Sequence, residues 1–155
     1  MENQFQQTNT NEIELLAFRL GEQEYCLDIM SVREIRGWSK ATPIPFSPPH
    51  VNGVINLRGT VLPVLDLAVR LGMPPAQRSE LNVIIVVDIN GHTAGLLVDA
   101  VSDIISVTPS DLQPAPEINS EDASSCIKAL TIIENRLIRV LELSLVMPSI
   151  STDAA

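Results

Sequence analysis

Gly53-Val54-Ile55-Asn56-Leu57-Arg58-Gly59-Thr60-Val61-Leu62-Pro63-Val64-Leu65-Asp66-Leu67 is the stretch that decides the fold. Two apolar runs, Val51 to Leu57 and Thr60 to Leu65, are rich in β-branched residues and are separated by Arg58-Gly59. That is the composition of two strands joined by a tight turn. Pro63 has no N–H to give to a ladder, so its strand is expected at a sheet edge or bulged there. Asp66 is placed to N-cap a short helix over Leu67 to Leu71. Gly72 suits its C′ position, and Pro74-Pro75 prevents continuation.

The same pattern extends in both directions. Glu14 to Leu20 alternates, with Leu16, Phe18 and Leu20 on one face, and the turn Gly21-Glu22 leads to Gln23 to Ile29, where Tyr25, Leu27 and Ile29 share a face. A bridge through Val32, Glu34 and Ile35 enters a stiff loop carrying Pro43, Pro45, Pro48 and Pro49. Residues 73 to 80 read as a connector. Val83 to Val87 is an uninterrupted apolar run suited to a strand covered on both faces. Asn90-Gly91 turns it into Thr93 to Val98, a strong hairpin signal. Ile104 to Val107 is strand-like, and Pro109 to Ser125 reads as a long surface loop. Ile127 to Ile133 and Leu137 to Leu143 form a last hairpin across Glu134-Asn135-Arg136, followed by a helical turn ending at Pro148. Residues 1–12 and 148–155 read as flexible tails.

The two halves resemble each other. Leu27-Asp28-Ile29-Met30-Ser31-Val32-Arg33-Glu34-Ile35 lies over Leu96-Leu97-Val98-Asp99-Ala100-Val101-Ser102-Asp103-Ile104 at an offset of 69. Leu62-Pro63-Val64-Leu65-Asp66-Leu67 lies over Ile138-Arg139-Val140-Leu141-Glu142-Leu143 at an offset of 76, so the second copy carries seven more residues. The Pro-rich loop is the natural place for them. Hairpin, Val-x-acid-Ile, loop, hairpin and helical turn recur in one order, which two similar small β-barrels packed side by side explain. Barrels of this size must bury one against the other, because neither has much core of its own.

Composition narrows the function. The chain has 155 residues, 45% hydrophobic but only 3% aromatic, so its core must rest on Val, Ile and Leu. Its net charge of −9 opposes nucleic-acid binding and attachment to an anionic membrane. The scarcity of aromatics for base stacking counts against an oligonucleotide or small-ligand barrel. Met1 to Asn11 has no apolar region of a signal peptide, and no run approaches the ~20 apolar residues of a membrane helix, so a cytoplasmic location is expected, with no direct membrane insertion. Cys26 and Cys126 sit in apolar stretches with no metal-like spacing and read as buried structural thiols.

No catalytic constellation stands out. His50 and His92 have no nucleophile or orienting acid at a recognisable spacing and read as surface residues. Gly53 and Gly59 do not make a phosphate loop, because a strand rather than a helix follows Gly59. Glu34, Asp66, Asp88, Asp99, Asp103 and Glu142 are scattered, and capping or strand-end solvation explains them as well as catalysis does. No enzyme activity, metal or cofactor is expected. Asn56-Leu57-Arg58-Gly59 is different, because a rigid strand end there holds a planar donor fork suited to a carboxylate. That carboxylate is either internal, with Glu34 a candidate, or a partner's; alternatively Arg58 is simply solvated.

Three motifs together resemble the CheW-type chemotaxis coupling proteins: Leu-Asp-Ile-x-x-Val-x-Glu-Ile at 27–35, the stretch 53–67, and Val-Asp-x-Val-Ser-Asp-Ile at 98–104. The likeness runs from about residue 13 to 147. It implies an all-β fold of two pseudo-repeated five-stranded SH3-like barrels, the first about 13–78 and the second about 80–147, with possible strand exchange. It also implies a scaffold bridging the cytoplasmic tip of chemoreceptors (methyl-accepting chemotaxis proteins) to the regulatory domain of a histidine kinase in membrane-associated arrays. Matched by position, the receptor-binding groove would use Val32, Glu34, Ile35, Gly53, Asn56, Arg58, Gly59, Val83, Val98 and Val101. A paralogue serving a non-chemotactic kinase pathway would share these features. Two departures from the family pattern stand out: Cys26 where a small residue such as Gly is usual, and a last hairpin, Ala129-Leu130-Thr131-Ile132, without glycine.

Overall fold

The structure, a computed structural model, describes residues 12–114 and 126–146. The two expected tails, apart from Glu12, lie outside the described residues, as do most of the loop 109–125 and Pro148. Among the described residues eleven strands run in chain order: β1 (Ile13–Leu20), β2 (Gln23–Asp28), β3 (Val32–Gly37), β4 (Val51–Leu57), β5 (Thr60–Asp66), β6 (Val83–Ile89), β7 (His92–Val98), β8 (Ala100–Val107), β9 (Gln113–Pro114), β10 (Ile127–Ile133) and β11 (Arg136–Leu141). Two one-turn helices follow β5 and β11: α1 (Leu67–Arg70) and α2 (Leu143–Val146). The strands form a six-stranded sheet, β8-β1-β2-β11-β10-β9, and a five-stranded sheet, β3-β6-β7-β5-β4. The fold is all-β, and each sheet joins strands from both halves of the sequence.

The internal repeat is written into the registers. The parallel pair Val64↔Gly95 of β5 and β7 returns as Val140↔Cys26 of β11 and β2, at offsets of 76 and 69. The bulge of β3 against β6, between Val32 and Glu34, returns where Val101 and Asp103 of β8 face Phe18 and Ala17 of β1. Asp66 N–H donates to His50 C=O at 2.8 Å, and Glu142 N–H donates to Cys126 C=O at 2.8 Å. Agreement at the level of single hydrogen bonds rules out chance matching in a Val/Ile/Leu-rich chain.

The core divides accordingly. One small cluster (Leu15, Ala17, Cys26, Ile138, Val140 and neighbours) lies within the six-stranded sheet, and its counterpart (Ile84, Val86, Leu62, Val64 and neighbours) lies within the five-stranded one. The largest cluster is shared: Leu16, Phe18, Leu20 and Leu27 meet Leu65, Leu67, Ile85, Leu96 and Val98, with Cys126 and Leu143. Burial at about 25 cal/mol per Å² of apolar surface is what holds the two sheets together.

Several expectations need correction. Val32 to Gly37 is a full strand rather than a bridge; it lies at a sheet edge, where Arg33, Glu34 and Arg36 obscure the apolar pattern and guard the open backbone. β8 begins at Ala100 rather than Ile104, because Ser102 and Asp103 are exposed and break the apolar run. The segment 109–125 holds a 3₁₀ turn, Pro109–Asp111, and β9, which pairs with β10. Pro63 is not on an edge strand, since β5 lies between β4 and β7. Its partner Val54 gives both backbone groups to Thr42, so Pro63's nitrogen faces away from β4, and the ladder with β7 starts only at Val64. A bulge in the partner strand does lie between Val51 and Gly53. Asp66 caps α1 by accepting from Val69 N–H, and Gly72 takes φ +83° just beyond it.

Candidate functional site

The hairpin turn between β4 and β5 has Arg58 at φ 52° and Gly59 at φ 90°, so the arginine itself adopts the left-handed conformation. Asn56 sets the turn: its Oδ1 accepts from Gly59 N–H at 2.8 Å. Asn90-Gly91 and Glu134-Asn135 use the same left-handed pair, so this backbone belongs to the two-residue hairpin geometry rather than to a special role for Arg58.

Arg58 reaches across to β3. One terminal nitrogen donates to Glu34 Oε1 at 2.8 Å, and Arg36 stands 3.7 Å from the other carboxylate oxygen. The Arg58 hydrogen bond, reinforced by both arginines' charge, holds the Glu34 carboxyl below the ordinary carboxylate range. The contact uses a single guanidinium nitrogen, and the Arg58 side chain is 71% exposed. The internal carboxylate therefore orients the fork while leaving donors free for a second acceptor. Arg36, beside the same carboxylate, was not singled out from the sequence. Its signal was available, because positions 34 and 36 fall on one face of a strand once β3 is recognised.

The other residues separate by burial. Val32, Val83 and Val101 are half-buried against the shared core. Val98 is fully buried within that core opposite Val83, so it supports the surface and offers none of its own. Ile35 is 43% exposed and alternates to the opposite face from Glu34. Gly53 is buried at φ +148°, and a Cβ there would come 2.3 Å from Thr42 O, so the position exists to let the loop backbone cross β4. Its counterpart in the repeat is Ala129, which faces Pro114 of β9. The glycine-free last hairpin therefore reflects a strand rather than a loop lying over it. Likewise Cys26 is the counterpart of Gly95, where a Cβ would strike Ile84 at 2.6 Å; the first copy has room for a thiol.

Apart from the exposed Asp103, the scattered acids have structural partners. Asp88 pairs with Arg33 at 2.8 Å, Glu142 pairs with Lys128, and Asp99 accepts from Gly21 N–H. Both cysteines are buried, and burial pushes the Cys26 thiol up to about 12. His50 departs from expectation. It is half-buried, and its Nε2 is enclosed with no hydrogen-bond partner among the described residues. Burial, with Arg70 nearby, lowers its pKa. Among the described residues no group of His, Cys, Asp and Glu could hold a metal, and no helix is long and apolar enough to cross a membrane.

Two β-sheets sharing one core, with an oriented but unsaturated arginine at the rim, define an all-β scaffold that presents a surface. The CheW-like domain model matches residues 14–151, and the chain belongs to that family of chemotaxis scaffolds. It is 51% identical over 142 residues to a chemotaxis protein CheW of Rhizobium meliloti, covering 92% of each chain. It is 33% identical to the chemotaxis protein CheW of Bacillus subtilis, covering 91% of this chain and 90% of that one. The crystal structure of the scaffolding protein TtCheW from Thermoanaerobacter tengcongensis superposes with a TM-score of 0.81 at 32% identity, over 88% of each chain.

Proposed function

We propose that this chain is a non-catalytic cytoplasmic adaptor that couples chemoreceptor tips to the regulatory domain of a chemotaxis histidine kinase within membrane-associated arrays. The observation that carries the receptor contact is the Arg58 fork, held by Glu34 through one nitrogen and otherwise open. Across the β3 bulge from Glu34, on the face turned to the shared core, Val32 with Val83 and Val101 provides half-buried apolar surface at the seam between the sheets. A helical receptor tip can lay an apolar stripe on such a surface and present a carboxylate or backbone carbonyl to Arg58. Exposed apolar side chains on the last hairpin, Ile132 at 61% and its cross-strand partner Leu137 at 45%, offer a separate surface for the kinase domain.

Pull-down with a receptor tip fragment tests the groove. Arg58→Ala and Val32→Asp should each weaken capture by about tenfold or more, the loss expected for a central interface residue, while circular dichroism shows the fold retained. Wild-type capture by both variants would refute the groove assignment.

A further inference from the structure

The chain's single tryptophan, Trp38, lines a cleft of about 380 Å³ together with Lys40, Pro43, Asp66, Arg78 and Leu97. That volume lies at the lower end of the roughly 300–1,000 Å³ of small-molecule sites. Arg78 lies over the Trp38 ring, its guanidinium carbon 4.1 Å from the centroid. Stacking fixes the guanidinium plane and leaves its edge donors unused. Five cations, Arg33, Arg36, Arg58, Lys128 and Arg136, each have a carboxylate partner, while Arg19 and Arg70 donate to backbone carbonyls and Arg139 lies over the Tyr25 ring. Arg78 and Lys40 have none among the described residues, although the chain carries a net charge of −9 and they share one cleft.

Two cations on one cleft, neither ion-paired with a carboxylate among the described residues, favour an anion between them. Asp66 does not serve. It is 8% exposed, and its two carboxylate oxygens accept from Val69 N–H and Ala76 N–H. Its buried negative charge also limits what can enter, because a doubly charged phosphate would be repelled more strongly than a singly charged carboxylate. Of the remaining walls, Leu97, Pro43, Pro75 and Ala76 are apolar, and Asn52 and Asn82 add amide groups.

We propose that this cleft binds a small organic monocarboxylate, its head between Arg78 and Lys40 and a short apolar body against Pro43 and Leu97. The proposal stands apart from the receptor groove and does not rest on it.

The test uses the whole chain and the one Trp38 indole N–H signal in a ¹⁵N-labelled sample. Sodium butyrate should shift that signal saturably, sodium chloride at equal ionic strength should not, and inorganic phosphate should act more weakly than butyrate. Arg78→Gln and Lys40→Gln should each raise the butyrate midpoint about tenfold, as expected for loss of a charged hydrogen-bond donor, whereas Arg19→Gln should leave it unchanged. If Arg78→Gln disturbs the ring it stacks on, the exposed Lys40→Gln decides alone. A response matched by chloride, stronger with phosphate, or unaltered in Lys40→Gln overturns the proposal.

Discussion

Replacing Gly53 with alanine isolates the backbone crossing on which the first hairpin depends. The added Cβ would sit 2.3 Å from Thr42 O and 2.7 Å from Thr42 C, both backbone atoms that no rotamer change can move. Thr42 and Val54 exchange two hydrogen bonds of 2.9 Å, so relieving the clash means giving up that bridge. Each bond contributes about 1 kcal/mol net. A non-glycine residue at φ +148° adds strain of about 1–2 kcal/mol. The expected destabilisation is therefore about 3 kcal/mol. In a chain of this length that lowers Tm by roughly 6–12 °C, or the urea midpoint by about 1.5 M at an m-value near 2 kcal/mol/M. Equilibrium urea unfolding followed by circular dichroism measures it, with Trp38 fluorescence reporting on the loop it enters. The internal control is Ala129→Gly at the equivalent bulge of the second copy, where lost burial and added chain freedom should cost only about 1 kcal/mol. A Gly53→Ala cost no greater than that of Ala129→Gly would refute the crossing argument.

Two further outcomes follow from burial. In the native protein at pH 8 Cys26 should not react appreciably with a disulfide reagent, since its thiol is buried and pushed up to about 12; in urea it should react within seconds. Rapid native labelling of Cys26 would contradict the packing described. His50 should titrate below the usual ~6.5 for histidine. Its folded-state pKa is depressed, so on acidification the unfolded chain takes up the proton first and stability falls as pH drops from about 6.5 toward the folded value. Unfolding midpoints at pH 7 and pH 5 should then converge in His50→Gln, and an unchanged gap would remove His50 as the cause.

The legible parts of the sequence were those governed by local rules. Alternation placed β1 and β2, Asn90-Gly91 placed the β6–β7 hairpin, and Asp66 with Gly72 bounded α1, because each signal depends on neighbours within a few residues. What stayed hidden depends on remote contacts. The edge strand β3 carries Arg33, Glu34 and Arg36, and only its position at the end of a sheet explains why a strand should be so charged. Pro63 sits in an interior strand because the ladder on its open side begins one residue later, which no local reading of β5 could supply. The candidate site was legible as a motif, yet the Glu34–Arg58 contact spans 24 residues of sequence and stayed one of several readings until the turn and β3 were placed. Val98 shows the opposite limit, since positional matching includes it in a groove while the packing buries it.

The repeat also shows why the pre-positioned arginine fork belongs to one half only. At the offsets that superpose the two copies, Glu34 corresponds to Asp103 and Arg58 to Glu134. The hairpin geometry survives, with Glu134 at φ 52° just as Arg58 is, and so does the strand pairing around each acid. The charge relation does not: where the first copy has a cation donating to a carboxylate at 2.8 Å, the second has two acids. Like charges cannot orient one another by hydrogen bonding, so the second hairpin has no counterpart to the pre-positioned fork. Conversely Asn56 and Val61, a cross-strand pair on the first hairpin, correspond to Ile132 and Leu137, so the second hairpin exposes an apolar pair where the first has a turn-closing amide. A duplicated backbone has thus been given one charged and one apolar hairpin, and the proposed coupling of two different partners would draw on that inequality rather than on the symmetry.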